Sequence, residues 1–262
     1  MEMIGYIAAI FVGIALGLVG SGGFLALPIL VYLFHVEDAN TATDYSLFLV
    51  GLVSLIGVFL KNKQGLVNYK TALLFGIPTV LSIFITRKFL MPAIPNELLS
   101  VNGILITKKM MVMVLLALTM MFSAYFMIKK RSTEADINLN KDNGVINFIG
   151  GILIGVLTGF VGIGGGFVIV PALIKIADLP MKNAVGTSLL IVTLNSAFGF
   201  AGSLSNLIID WNLIILFSVF ALSGMLAGNL LSKKINGANL KVAFGWFVMV
   251  AGILIIINEL KF

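Results

Sequence analysis

The chain has 262 residues, 60% of them hydrophobic and 11% charged, with a formal net charge of +6. A mean hydropathy of +1.12 leaves too little polar surface to solvate a globule of this length, so the composition places the chain in a bilayer. With no cysteine there is no disulfide frame or thiolate chemistry, and a single histidine excludes the usual zinc clusters; neither a metal nor a cofactor is expected.

Met1-Glu2-Met3 lacks the positive region of a signal peptide, and the next apolar run ends at glycines rather than at a small-residue cleavage site, so it is read as mature structure. Apolar runs cover 4–19, 24–34, 45–60, 71–86 and 110–128. A charged connector follows at 129–142, and then runs at 145–161, 167–176, 188–207, 213–231 and 242–257. Several runs have only about 16 residues, short of the roughly 20 that cross a 30 Å hydrocarbon core, which predicts local thinning or partial re-entry. The runs at 24–34 and 167–176 are too short to span and read as re-entrant half-helices buried in protein or lining a cavity. The predicted fold is an all-α polytopic membrane protein of about eight transmembrane helices and two half-helices.

The two halves align at an offset of 142, which pairs Gly17 with Gly159, Gly20 with Gly162, Ala42 with Ala184, Ser46 with Ser188, Ser54 with Ser196 and Gly57 with Gly199. One extra glycine in the second copy shifts Phe24 onto Phe167 and Pro28 onto Pro171. The register holds over four segments, so a duplication is inferred: a first membrane repeat at 1–128, a cytoplasmic connector at 129–144 and a second repeat at 145–262. If each glycine-rich turn sends its half-helix back the way the chain came, the repeats are inverted. The Lys and Arg residues then divide 12 against 5, with Arg87, Lys88, Lys108, Lys109 and Lys261 in the minority. Folding each half-helix into one crossing with its predecessor divides them 8 against 9. The positive-inside rule therefore favours inverted repeats, both termini outside and the connector in the cytoplasm. Lysines and arginines in short loops suit a membrane surface better than nucleic acid.

The glycine-rich stretches are Gly17-Leu-Val-Gly-Ser-Gly-Gly-Phe-Leu-Ala-Leu-Pro28 and Gly159-Phe-Val-Gly-Ile-Gly-Gly-Gly-Phe-Val-Ile-Val-Pro171. In the first, Gly20, Ser21, Gly22 and Gly23 are candidate substrate-binding residues; in the second, Gly162, Gly164, Gly165 and Gly166. A helix that starts beyond such a break presents N–H groups without partners and the positive end of its dipole, an anion site that needs no buried lysine. Gly13-xxx-Gly17 and Gly155-xxx-Gly159 are better explained by close helix packing. No Lys-Ser/Thr follows the second run and no acidic residue lies about 20 positions on, which argues against a P-loop or Rossmann nucleotide site.

Polar side chains in the next span of each copy add further candidates: Tyr45 and Ser46 in the first, Thr187, Ser188 and Asn195 in the second, with Ser54 and Ser196 beside them. Several share a helical face and could aim hydroxyl and amide donors at a bound anion. Asp44, at the edge of its span, reads as a helix cap rather than a proton carrier. His35 reads as a solvated loop residue. Asn68-Tyr69 and Asp210-Trp211 read as caps with interfacial anchors, and Arg87, Lys88, Lys233 and Lys234 as markers of span ends.

The duplicated Gly-x-Gly-Gly-Phe…Pro motif, Ala184-Val-Gly-Thr-Ser188, Asp210-Trp211 and Phe244-Gly245-Trp246 together resemble the TauE/SafE family of sulfite and organosulfur anion exporters, over essentially the whole chain. The resemblance implies a multi-pass carrier in a bacterial or archaeal plasma membrane, with a small sulfur-containing anion such as sulfite, sulfoacetate or thiosulfate as substrate. The coupling ion, proton or sodium, stays open. The first copy departs from the stronger pattern, having Ser21 and only Gly22-Gly23 in place of the triple glycine, which predicts a weaker or different contact there. An anion channel using the same turns as a selectivity constriction is the alternative. An intramembrane enzyme finds no nucleophile, base or paired carboxylates in this sequence.

Overall fold

The computed structural model describes residues 2–95, 97–101, 104–128, 144–161, 165–202 and 210–260. The first repeat begins with α1 (Glu2–Val19), a 3-10 turn at Gly22–Leu25 and the half-helix α2 (Ala26–Tyr32). It continues through α3 (Ala39–Asn62) and α4 (Tyr69–Ile85), which runs on through a π turn at Thr86–Leu90 into α5 (Met91–Ala93), and it closes with α6 (Lys108–Ile128). The second repeat comprises α7 (Gly144–Val161), the half-helix α8 (Gly166–Lys175), α9 (Met181–Ala201), α10 (Trp211–Lys234) and α11 (Gly237–Leu260). Large apolar side chains face outward all round the bundle, as in the stripe of Leu73, Ile77, Leu81 and Ile85 along α4, a surface suited to lipid and not to water.

Both glycine-rich breaks reverse the chain. Tyr6 near the start of α1 meets Phe34 just past the end of α2, ring centroids 5.2 Å apart. In the second repeat a Cβ on Gly150, near the start of α7, would stand 3.3 Å from Ile176 just past the end of α8. The repeats are consequently inverted, and equivalent helices pack antiparallel. Gly51 of α3 lies against Ser196 of α9, Ser54 accepts a hydrogen bond from Thr193 at 3.0 Å, and Gly57 lies against Leu189. In the same sense Gly245 of α11 touches Met127 of α6, while Gly252 touches Met120.

The Gly-xxx-Gly pairs pack as the sequence predicts. Gly13 and Gly17 bring α1 onto the backbone of α10 at Ala221 and Gly228, where Gly224 and Gly228 reciprocate toward Ile10 and Ile14; Gly155 and Gly159 bring α7 onto Thr79 of α4 and Thr86 of the π turn that follows it. Pro171 has no N–H to give the carbonyl of Phe167, four residues back, and the Ser123 hydroxyl of α6 donates to that carbonyl instead. The half-helix is thereby tied to a full span.

The spans are longer than hydropathy suggests. α3 begins at Ala39, six residues before the apolar run, and at 24 residues it measures about 36 Å, so no thinning is needed. Its first turn is polar and escapes an apolar count, yet Asp38 caps it by accepting from Thr41 N at 2.8 Å. α9 likewise starts at Met181 rather than at Ser188. A second feature not foreseen is an antiparallel hairpin, Glu97–Val101 with Ile104–Thr107, between α5 and α6. Its sequence signal was the Asn102-Gly103 dipeptide between two short apolar stretches.

Both ends of the described chain lie on one face. There Tyr32 donates to Glu259, and the amide of Asp210 donates to Tyr45 Oη at 2.8 Å. Among the described residues, this face carries Arg87, Lys88, Lys108 and Lys109, whereas the opposite face carries Lys61, Lys63, Lys70, Lys175, Lys182, Lys233, Lys234 and Lys241. The connector at 129–143 lies outside the described residues, and α6 and α7 lead to it on the lysine-rich face. Because the chain has no native cysteine, orientation can be read by labelling with an impermeant maleimide. His35→Cys is expected to react from outside intact cells and Lys63→Cys only after the membrane is opened; the reverse pattern, or labelling of both, refutes the orientation.

Candidate functional site

The two breaks meet at the centre of the bundle. Gly20 (φ 71°) ends α1 in the left-handed region, and Gly165 (φ 82°) caps α8 in the same region, which glycine adopts without a Cβ clash. They differ in detail: the first break passes through a 3-10 turn, whereas the second enters α8 directly, where Val168 and Ile169 both donate to Gly165 O at 3.0 and 2.9 Å. The amides of Gly166 and Phe167 therefore precede the first helical hydrogen bonds of α8. A Cβ on Gly166 would lie 2.9 Å from Ser21 Cα and 3.1 Å from Gly20 O, so backbone meets backbone. Beyond the breaks, Phe24 and Phe167 stack edge to face with centroids 5.7 Å apart.

Each break rests on the equivalent helix of its own repeat in the same way. Gly23 sits against Val50 of α3, and its counterpart Gly166 sits against Val192 of α9. Ser188, one turn before Val192, donates to Val185 O at 2.9 Å and to Gly20 O at 3.3 Å, which links the second repeat to the first break. Asn195 follows Val192 by three residues on the same face of α9 and is fully buried. Ser21 and Ser46 are also fully buried, and neither hydroxyl has a hydrogen-bond partner among the described residues. An unmatched buried hydroxyl is costly without a ligand or water. Gly22 is buried against Ala15 of α1. Gly162 and Gly164 lie outside the described residues.

Tyr45 and Thr187 have a different engagement. Tyr45 Oη accepts from the amide of Asp210, and Thr187 Oγ1 accepts from the amide of Asn68 at 2.9 Å. Residues 45 and 187 are repeat equivalents, as are 68 and 210, so each repeat ties down a helix cap of the other at opposite faces. The caps are as predicted: Asn68 accepts from Thr71 N, Asp210 accepts from Asn212 N and Leu213 N, and Tyr69 and Trp211 are exposed beside them. His35 is exposed in its loop, as expected.

Two readings of charged residues need correction. Asp44 is not a cap: Asp38 holds that position, and Asp44 lies a turn and a half inside α3, buried and paired with the buried Arg87. Arg87 is not an exposed span marker; the π turn carries it inward, where Nη1 also donates to Thr43 Oγ1 at 2.8 Å. Lys108 is buried nearby, its ammonium donating to the carbonyls of Met91 and Ile94. The repeat equivalents of Asp44 and Arg87 are Gly186 and Asn229, so this ion pair exists at one end of the pseudo-symmetric assembly only. No group of three or more metal-binding side chains occurs among the described residues.

Comparison with known proteins agrees with this architecture. The model of the family described as "Sulfite exporter TauE/SafE" matches residues 5–255. A "Probable membrane transporter protein" of Xylella fastidiosa is 30% identical over 251 residues, covering 94% of this chain and 91% of that protein. A probable membrane transporter protein of Methanocaldococcus jannaschii is 30% identical over 72% of this chain and 69% of its own length. One from Bacillus subtilis is 26% identical over 93% and 96%. No solved structure matches the chain.

Proposed function

Since the chain belongs to the sulfite exporter TauE/SafE family, and is thus a multi-pass membrane transporter and not an enzyme, we propose that it is a secondary carrier of small sulfur-containing anions such as sulfite, sulfoacetate or thiosulfate. The observation that carries this reading is the meeting of two glycine-rich breaks, backbone to backbone, inside a bundle of inverted repeats. Carriers built this way hold substrate where the repeats abut, with helix N-termini supplying positive potential. Here the amides at the start of α8 face the anion, the hydroxyls of Ser21, Ser46 and Ser188 share its oxygens, and Asn195 donates from the same stripe of α9. Gly162 and Gly164 belong by sequence to the second glycine-rich run and stay candidate contacts. Tyr45 and Thr187 hold the crossing helices in register. No ammonium needs to sit at the midplane, so the anion is held tightly enough to select and loosely enough to release.

Proteoliposomes loaded with sulfite test this. A carrier gives saturable flux and accelerated exchange when the same anion is present on both sides, whereas unsaturable flux without counterflow means that the breaks line a channel. Within the carrier, Asn195→Ala is expected to weaken sulfite binding by about 1–3 kcal/mol, the cost of removing one donor from a buried charge. An unchanged half-saturation concentration refutes its role as a ligand.

A further inference from the structure

The lysine-rich face contains a cavity of about 290 Å³ lined by three lysines, Lys61, Lys182 and Lys233. Gln64 and Ser232 add polar atoms, and Leu18 and Val185 complete the lining next to the first break: a Cβ on Gly20 would stand 2.7 Å from Val185 O. The cavity thus connects the lysine-rich face with the neighbourhood of the central site.

Lys61 is the anomaly. Its side chain is only 3% exposed in the last turn of α3, and its Nζ donates to Ser232 Oγ at 2.8 Å, a neutral partner whose own hydroxyl donates a hydrogen bond to Asn229 O. Lys182 and Lys233 are exposed and place two like charges beside it. No carboxylate lines the cavity, and none among the described residues forms an ion pair with any of the three lysines. At the other end of the bundle the buried Arg87 has Asp44. A buried ammonium held by one hydroxyl among like charges is expensive unless an anion enters.

We propose that this cavity is an oxyanion-docking site separate from the central breaks, where Lys61, Lys182 and Lys233 receive a sulfite, sulfonate or phosphate group. Three positive charges around a concave, low-dielectric wall focus the local potential and concentrate small anions beside the break. The shared chemistry is a compact group of charged oxygens, supplied either free in solution or as the headgroup of an anionic phospholipid. Its role as an antechamber for substrate rests on the carrier reading above; the docking chemistry does not.

The test uses the purified full-length protein and radiolabelled inorganic sulfate in nanodiscs. The double variant Lys182→Gln/Lys233→Gln changes two exposed side chains and is expected to keep the parental melting temperature without anion. It should bind sulfate at least tenfold more weakly and raise the half-saturation concentration for sulfite transport, with maximal rate unchanged. Lys61→Met should remove sulfate binding. Discs of phosphatidylcholine and of phosphatidylglycerol separate the two sources. A free-oxyanion site binds sulfate in both; a headgroup site binds it only in phosphatidylcholine, and phosphatidylglycerol copurifies with the parent but not with the double variant. A double variant that binds sulfate and retains phosphatidylglycerol like the parent overturns the proposal. Gly166→Val, which changes the central break, keeps parental sulfate affinity here. If Gly166→Val transports normally while the lysine variants lose sulfate, the carrier reading fails and the docking site stands; the opposite pair of results removes the docking site alone.

Discussion

Gly166→Val is expected to abolish sulfite transport while the protein still inserts in the membrane at parental levels. The position has no spare volume: the first added carbon would lie 2.9 Å from Ser21 Cα, 3.1 Å from Gly20 O and 3.2 Å from a Val192 methyl. Two of these three neighbours are backbone and cannot swing aside, so the breaks themselves must separate by a few tenths of an ångström or more. Valine adds two further methyls to that wedge. A ligand held by amides at such a seam loses its geometry, and a displacement of about 1 Å at a binding centre costs on the order of a hundredfold in rate. The substitution is apolar and adds no charge, so the hydropathy that drives insertion does not fall. Gly165→Val should be as damaging for a different reason, because its φ of 82° lies where a β-branched residue is strained. Flux in proteoliposomes with surface-labelled protein as the loading control decides it. Parental flux through Gly166→Val defeats the central claim.

Asp44→Asn is expected to destabilise the chain strongly rather than to alter its pH response. Asp44 and Arg87 are both buried, and among the described residues Arg87 donates otherwise only to Thr43. Removing the carboxylate leaves a guanidinium without its counter-charge inside the bundle, a change that costs about 3–5 kcal/mol in comparable buried pairs. Arg87→Met should be similarly harmful because it orphans the carboxylate. The double change Asp44→Leu/Arg87→Met should recover most of the lost thermal stability, since replacing both charges removes the desolvation cost together with the attraction. Thermal unfolding of the four proteins in one detergent checks this. A fully stable Asp44→Asn protein whose sulfite flux has lost its pH dependence overturns the structural role and makes Asp44 a proton carrier.

Hydropathy located every described helix except the three-residue α5, but it misjudged by six or more residues where α3 and α9 begin. The reason is visible at α3: Ala39-Asn-Thr-Ala-Thr-Asp44 is polar in composition, and only the ion pair to Arg87, 43 residues further on, lets that turn be buried. Arg87 was equally illegible, because a cation at the end of an apolar run usually reaches water. A one-residue change in helical register, the π turn at Thr86–Leu90, sends it inward. Tyr45 and Thr187 show the same limit. Their sequence positions, one residue before Ser46 and Ser188, do not reveal that a side chain at the next helical position points about 100° away and that their oxygens accept from the caps of the opposite repeat.

What the sequence by itself determined is the class, the duplication and the position of both breaks. Bulk hydropathy, a 142-residue self-match and dense glycine are local or compositional signals, and each follows from the cost of exposing apolar surface to water or backbone groups to lipid. The tertiary structure alone decided that the two breaks touch, that Val50 and Val192 back them in the same way, and that charge is treated oppositely at the two ends, paired at Asp44 and Arg87 but, among the described residues, without a carboxylate around Lys61. Those contacts join residues at least 26 positions apart, as between Gly166 and Val192. Their energies depend on which groups leave water together, a property of the packed bundle and not of any segment of the chain.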